Sequence, residues 1–142
     1  IVGGAKLFST ALVFLQVPGK ITEFTLSINM PSWTIMIVIV ILLLILGCFL
    51  DGVPIIFLTI PILYPTVISL GYDPIHFAMI TVVAIMIGQV TPPIGMSLFA
   101  VSGHFKESIG VVVKGSVPYL IGLIISLLII VYVPWLSTFL FR

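Results

Sequence analysis

Gly47-Cys48-Phe49-Leu50-Asp51-Gly52-Val53-Pro54 breaks an apolar run that is otherwise almost continuous over residues 33–70. A second break, Gly88-Gln89-Val90-Thr91-Pro92-Pro93-Ile94-Gly95, divides the next apolar run into 75–87 and 96–105. Both are polar and helix-breaking, and the first holds a carboxylate far from any other charge. Broken helices in lipid are tolerated only where the freed backbone faces protein or a water-lined cavity, and in secondary transporters such breaks form the substrate and ion site. The fold and the function are therefore read outward from these two breaks.

The rest of the composition agrees with a bilayer. Of 142 residues, 61% are hydrophobic and 6% charged, with a mean hydropathy of +1.46, whereas an ordinary soluble domain carries about 25% charged residues. A net charge of +1 and the lack of any basic run exclude a nucleic-acid footprint. Cys48 is the single cysteine, so it forms no intrachain disulfide and is a poor metal ligand. The sequence opens at Ile1 without a signal-peptide pattern and is expected to be a piece of a larger chain. One crossing takes about 20 helical residues, which leaves room for a few apolar segments.

Taken in order, residues 7–17 end a membrane helix at Gln16-Val17-Pro18-Gly19. Residues 20–29 mix apolar and polar side chains and are expected to lie along the interface or to link two elements there. Asn29-Met30-Pro31-Ser32 marks a helix start, with Trp33 as an interfacial aromatic. The runs on either side of Asp51 then admit two readings. They cross the membrane fully, since about 18 residues span roughly 27 Å, or they form a re-entrant hairpin with Asp51 at its tip. The tip has no Lys, Arg, Trp or Tyr to anchor it at an interface, which favours the hairpin.

Gly71-Tyr72-Asp73-Pro74 is a wet turn with Asp73 as a helix cap. Residues 75–105 form one crossing whose centre is unwound by Pro92 and Pro93, leaving the carbonyls of 88–90 free. His104, Lys106, Glu107 and Lys114 are the densest charged patch and mark a cytoplasmic connector. Residues 117–135 are the last crossing, ended by Pro134-Trp135.

An intramembrane carboxylate costs about 2.5–3.5 kcal/mol on insertion scales and needs a partner, an ion or a proton. Asp51 and Thr91 are oxygen ligands of the kind Na⁺ accepts, and Gly52, Gly88, Gln89 and Gly95 allow close backbone approach. Read without function, Asp51 caps the following helix and Thr-Pro-Pro merely kinks one. Ser97 and Ser102 are expected to bond to their own helix, and His76 and His104 to be solvated at interfaces. An aspartyl hydrolase would need a second carboxylate nearby, which the sequence does not offer, so no enzyme is expected. A membrane-anchoring or scaffold subunit without its own ion or substrate site is the competing reading.

The ordered set Gly47-Cys48-Phe49-Leu50-Asp51, Pro61-Ile62-Leu63-Tyr64-Pro65, 71–77 and 87–95, followed by Leu98-Phe99, resembles the carboxy-terminal part of the large membrane (M, DctM-type) subunit of tripartite ATP-independent periplasmic (TRAP) transporters. The resemblance covers essentially the whole chain. It implies an all-α integral membrane protein, the second inverted repeat of an elevator-type secondary transporter in the bacterial inner membrane. It implies Na⁺-coupled import of small organic acids such as C4-dicarboxylates or sialic acid, handed over by a periplasmic substrate-binding protein, with a small membrane (Q) subunit as further partner. By the same likeness 1–32 are the end of a scaffold helix and a connector, and 33–69 a re-entrant hairpin. Residues 75–104 become the broken helix and 105–142 an arm and last transmembrane helix. The likeness further implies that Asp51, Gly52, Gly88, Thr91 and Pro92 lie at the Na⁺ site. Pro54, Pro93 and Gly95 lie where helix N-termini would meet a substrate carboxylate, since no Arg is near either break.

Overall fold

The computed structural model describes residues 2–27, 31–92 and 94–139, which form eight helices. Asn29 and Met30 of the expected helix start, together with Pro93 and Arg142, lie outside the described residues. The helices are α1 (Val2–Phe14), α2 (Val17–Ser27), α3 (Ser32–Phe49), α4 (Gly52–Ser69), α5 (Pro74–Val90), α6 (Met96–Phe105), α7 (Ile109–Tyr132) and α8 (Pro134–Thr138). Helices α3, α4 and α7 are each long and apolar enough to cross a membrane. The chain is an all-helical integral membrane protein.

Local chemistry sets the boundaries. Extended Pro31 precedes α3 with φ −61° and ψ 141°, and the β-branched run that follows is helical because lipid offers its backbone no other partner. At the far end Leu50 turns extended, and Asp51 caps α4 by accepting the Gly52 N–H at 2.8 Å. Helix α4 contains Pro61 and Pro65, each lacking the N–H that the carbonyl four residues back would take. It ends where Gly71 adopts φ 86°, with Tyr72 N–H donating to Val67 O at 3.3 Å and Gly71 N–H to Ile68 O at 3.0 Å. That paired pattern is the usual glycine stop for a helix. Asp73 then caps α5 through the N–H groups of Ile75 and His76, as its place before Pro74 predicts.

Helices α3, α4 and α5 run up, down and up. The core is the stripe Ile35, Met36, Ile39, Val40 and Leu43 of α3 against Phe77, Ile80, Ala84 and Ile85 of α5. The spacing is that of one helical face. Leu127 and Ile130 of α7 close this layer, while α4 packs mainly on α1 and α2. There the buried Thr66 hydroxyl meets Thr22 Oγ1 at 2.8 Å. Thr22 spends its own proton on Pro18 O, so Thr66 is the donor.

The structure corrects four expectations. The stop near the start is at Leu15-Gln16, where Gln16 has φ 53°, and Pro18-Gly19 lie inside α2. Pro18 sits in the first turn, where a missing N–H costs nothing. The connector expected over 104–114 is shorter, because α7 begins at Ile109 and carries Lys114 within it. Ser102 donates not to its own helix but to Glu107 O, at 2.7 Å, which ties down the turn after α6.

The fourth concerns His76, expected to be solvated. It is 1% exposed and its Nδ1 meets Ser137 Oγ of α8 at 2.7 Å. Ser137 donates its proton to Pro134 O, so Nδ1 carries the hydrogen. Nε2 is left buried and without a partner among the described residues. The ring also stacks on Tyr72, 6.0 Å between centroids.

Candidate functional site between the hairpin tip and the helix break

The two breaks read from the sequence meet in space. At their centre Gly47 of α3 and Gly88 of α5 touch backbone to backbone: a Cβ on Gly88 would lie 2.6 Å from Gly47 Cα and 2.8 Å from Leu44 O. One on Gly47 would lie 2.9 Å from Gly88 Cα. Small residues at a helix crossing permit this approach. Beside it, Gly95 N–H donates to Cys48 O at 3.2 Å. Cys48 O is one of the carbonyls a helix end leaves unsatisfied, so the far side of the α5–α6 break is stitched to the last turn of α3.

Asp51 stands just beyond. Its Oδ1 accepts the Gly52 N–H and, at 3.2 Å, the Gln89 Nε2–H from α5. Its Oδ2 has no hydrogen bond among the described residues. Asp51 is exposed and Gln89 half-buried. Gly52 makes the contact possible, since a Cβ there would lie 2.9 Å from Gln89 Nε2.

The break falls later than the sequence indicates. The carbonyls of 88–90 are expected to be free, but α5 continues to Val90, and Thr91 N–H donates to Gly88 O at 3.1 Å in place of the N–H that Pro92 lacks. Proline at 93 likewise has no N–H to offer Gln89 O. With Gly95 at φ 50°, the carbonyl oxygens of Gln89 and Thr91 come within 3.0 and 3.2 Å of where its Cβ would be. Of the three expected carbonyls Gly88 O is thus engaged, while Gln89 O, Val90 O and also Thr91 O accept no hydrogen bond among the described residues. The Thr91 hydroxyl donates to Ile87 O at 2.6 Å, and a hydroxyl so engaged still has a lone pair to give. Pro92 is exposed, and Pro54 is half-buried in the first turn of α4. Helix α6 starts at Met96 with Gly95 as its left-handed cap.

Gln89 was legible only as a residue in a break, and the role of its side chain was missed. The signal that could have found it is that a polar side chain one position from Gly88 must share the tip's surroundings if the tip touches Gly88. As a donor set, the region offers one carboxylate, neutral carbonyls and a hydroxyl. Among the described residues no three His, Cys, Asp or Glu come together. Such a set suits a monovalent cation better than zinc or calcium, which want more anionic or softer ligands.

Comparison with known proteins agrees with this architecture. Residues 1–136 match the family model described as the DctM component of the tripartite ATP-independent periplasmic transporter. The chain is 37% identical over 140 residues to a C4-dicarboxylate TRAP transporter large permease protein DctM of Vibrio cholerae, covering 99% of this chain and 31% of that protein. It is 36% identical over 135 residues to an isethionate TRAP transporter permease protein DctMQ of Oleidesulfovibrio alaskensis, covering 95% of this chain and 21% of that one. It is 35% identical over 124 residues to a sialic acid TRAP transporter permease protein SiaT of Haemophilus influenzae, covering 87% and 20% respectively. The chain therefore spans 31% or less of the length of these three relatives, which are named as permeases and not as enzymes. With its ordered motifs, its helical fold and a match over nearly its full length, the chain belongs to the DctM component family of TRAP transporters.

Proposed function

We propose that this chain supplies one half of the transport site of a Na⁺-coupled permease in the bacterial inner membrane. The permease imports small organic acids, such as C4-dicarboxylates or sialic acid, received from a periplasmic binding protein and braced by a small membrane (Q) subunit. In this reading 33–69 is a re-entrant hairpin, 75–104 a broken transmembrane helix, and both ride on an elevator-type moving domain. The observation that carries it is the meeting of the Asp51 tip with the break that ends at Gly95.

Na⁺ is held by Asp51 with help from the backbone at Gly52, Gly88, Thr91 and Pro92. The substrate carboxylate lies toward the helix starts at Pro54 and after Pro93 and Gly95, where partial positive charge gathers. The charges then dictate an order. Asp51 already caps α4 and sets a negative charge at the helix end that an anionic substrate would use. A bare carboxylate repels the anion, and a cation on Asp51 removes the repulsion. The ion binds first and the organic acid follows. Asp51 is exposed in this chain, so a complete site needs a covering surface from elsewhere in the permease.

In the complete permease in proteoliposomes, Asp51→Asn and Thr91→Ala should abolish or strongly reduce Na⁺-driven uptake while leaving the protein level in the membrane unchanged. An anchoring subunit would keep its assembly and show no ion dependence at these positions. Undiminished Na⁺-driven uptake by Asp51→Asn would refute the reading.

A further inference from the structure

Asp51 is held unequally on its two sides. On the α3 side, the Gly47–Gly88 contact and the bond from Gly95 N–H to Cys48 O fix backbone to backbone. On the α4 side, the bond from Gln89 Nε2 to Asp51 Oδ1 is, among the described residues, the one hydrogen bond that joins the start of α4 to α5. A carboxamide offers either a donor or an acceptor. Beside a lone carboxylate only the donor is tolerated, because two acceptors in contact repel. The Gln89 N–H thus places partial positive charge against Oδ1.

We propose that Gln89 is the cation surrogate of this site: its carboxamide neutralises and holds Asp51 while no ion is bound, and it leaves Asp51 when Na⁺ arrives. The inference rests on the reading of Asp51 as the ion's carboxylate. Oδ1 already accepts from the Gly52 N–H and from Gln89, so a Na⁺ that takes both oxygens of the carboxylate displaces Gln89, whereas an ion held at Oδ2 alone would leave the bond intact and the Gln89 variants without effect on affinity. The arrangement also keeps the ion-free tip closed on α5. Without it, the tip would present an unneutralised charge inside the membrane domain, which is costly.

The test uses the complete permease in detergent, with thermal stability followed as Na⁺ replaces K⁺ at constant ionic strength. An ion that binds the folded state raises the melting temperature by an amount that grows as ln(1 + Na⁺ concentration/Kd), so the titration gives an apparent Na⁺ affinity without transport. Gln89→Met keeps the length of the side chain and removes the donor. A net hydrogen bond corresponds to about a two- to tenfold change in an equilibrium constant. Gln89→Met should tighten apparent Na⁺ binding by about that factor and lower the melting temperature in K⁺ alone. Gln89→Ala, which also makes room, should shift the affinity in the same direction and serves if the Met variant does not fold.

Unchanged or weaker Na⁺ binding in these variants overturns the surrogate role. Asp51→Asn separates the two readings. If it abolishes the Na⁺ response while the Gln89 variants leave the affinity unchanged, only the surrogate role falls. If Asp51→Asn keeps a full Na⁺ response, Asp51 is not the ion's carboxylate and both fall.

Discussion

A buried histidine with one satisfied nitrogen shows how much single atoms decide here. His76 donates from Nδ1 to Ser137, and its Nε2 has no partner among the described residues. Ser137→Ala would leave both nitrogens unpaired, at a cost of about 1–3 kcal/mol. His76→Phe alone strands Ser137 less severely, since that hydroxyl keeps Pro134 O. The double variant His76→Phe, Ser137→Ala replaces both partners by apolar groups of similar shape and should lie closer to the parent than Ser137→Ala does. Thermal denaturation of the four proteins in detergent measures this as a double-mutant cycle, and a strictly additive cycle would remove the pair's significance. Gly88→Ala acts by crowding instead, because its Cβ would meet backbone at 2.6 Å. Overpacking of that kind costs about 1–3 kcal/mol, so the variant should melt earlier, and no rotamer change can relieve it.

At the level of elements, the chain divides into two layers. Helices α3, α5 and α7 form one, and α4 with α1 and α2 the other, joined across α4 by fewer contacts. What the sequence makes legible here are features written in adjacent residues: the proline at the start of α3, Asp51 before α4, Asp73-Pro74 before α5, and the glycine stop at Gly71. Each signal is local, and the resulting boundaries fall within a residue or two of their expected places.

Less legible is whatever depends on distant residues. Asp51 and Gln89 are 38 positions apart in the chain, and nothing in the composition of either break says which polar group faces the acid. Burial of His76 depends on α8, which lies 61 positions away at Ser137. The turn at Gln16 was masked by the stronger Pro18-Gly19 signal, which helices accept in their first turn. Substitution of Thr66 by Val removes the donor to Thr22 at the α2–α4 contact. It should lower stability by about 1 kcal/mol, with the loss confined to protease sensitivity of α1 and α2 if the layers unfold separately.

Considered as a whole, the molecule leaves much apolar surface uncovered. Only Leu127 and Ile130 of α7 are buried, while Ile121, Ile125 and Leu128 are each about half exposed. In a chain spanning about a third or less of its relatives' length, such a surface meets either lipid or protein. The two differ in what they tolerate. Lysine at Ile121, near the middle of α7, should cost about 2.5–3.5 kcal/mol in a membrane-insertion assay if that face meets lipid. At Val111 the same change should cost far less, because a lysine near a helix end reaches the interface with its ammonium group. Equal costs at both positions would place this face of α7 against protein.

The bare crossing of Gly47 on Gly88 has one more consequence. Two ridges of side chains can ratchet past one another by swapping grooves, but main chain lying directly on main chain has no such teeth and nothing to trade. That close contact, with the bond from Gly95 N–H to Cys48 O, ties the end of α3 to the α5–α6 break. In the proposed Na⁺ reading, opening takes place along the neighbouring seam, where among the described residues one amide joins the start of α4 to α5.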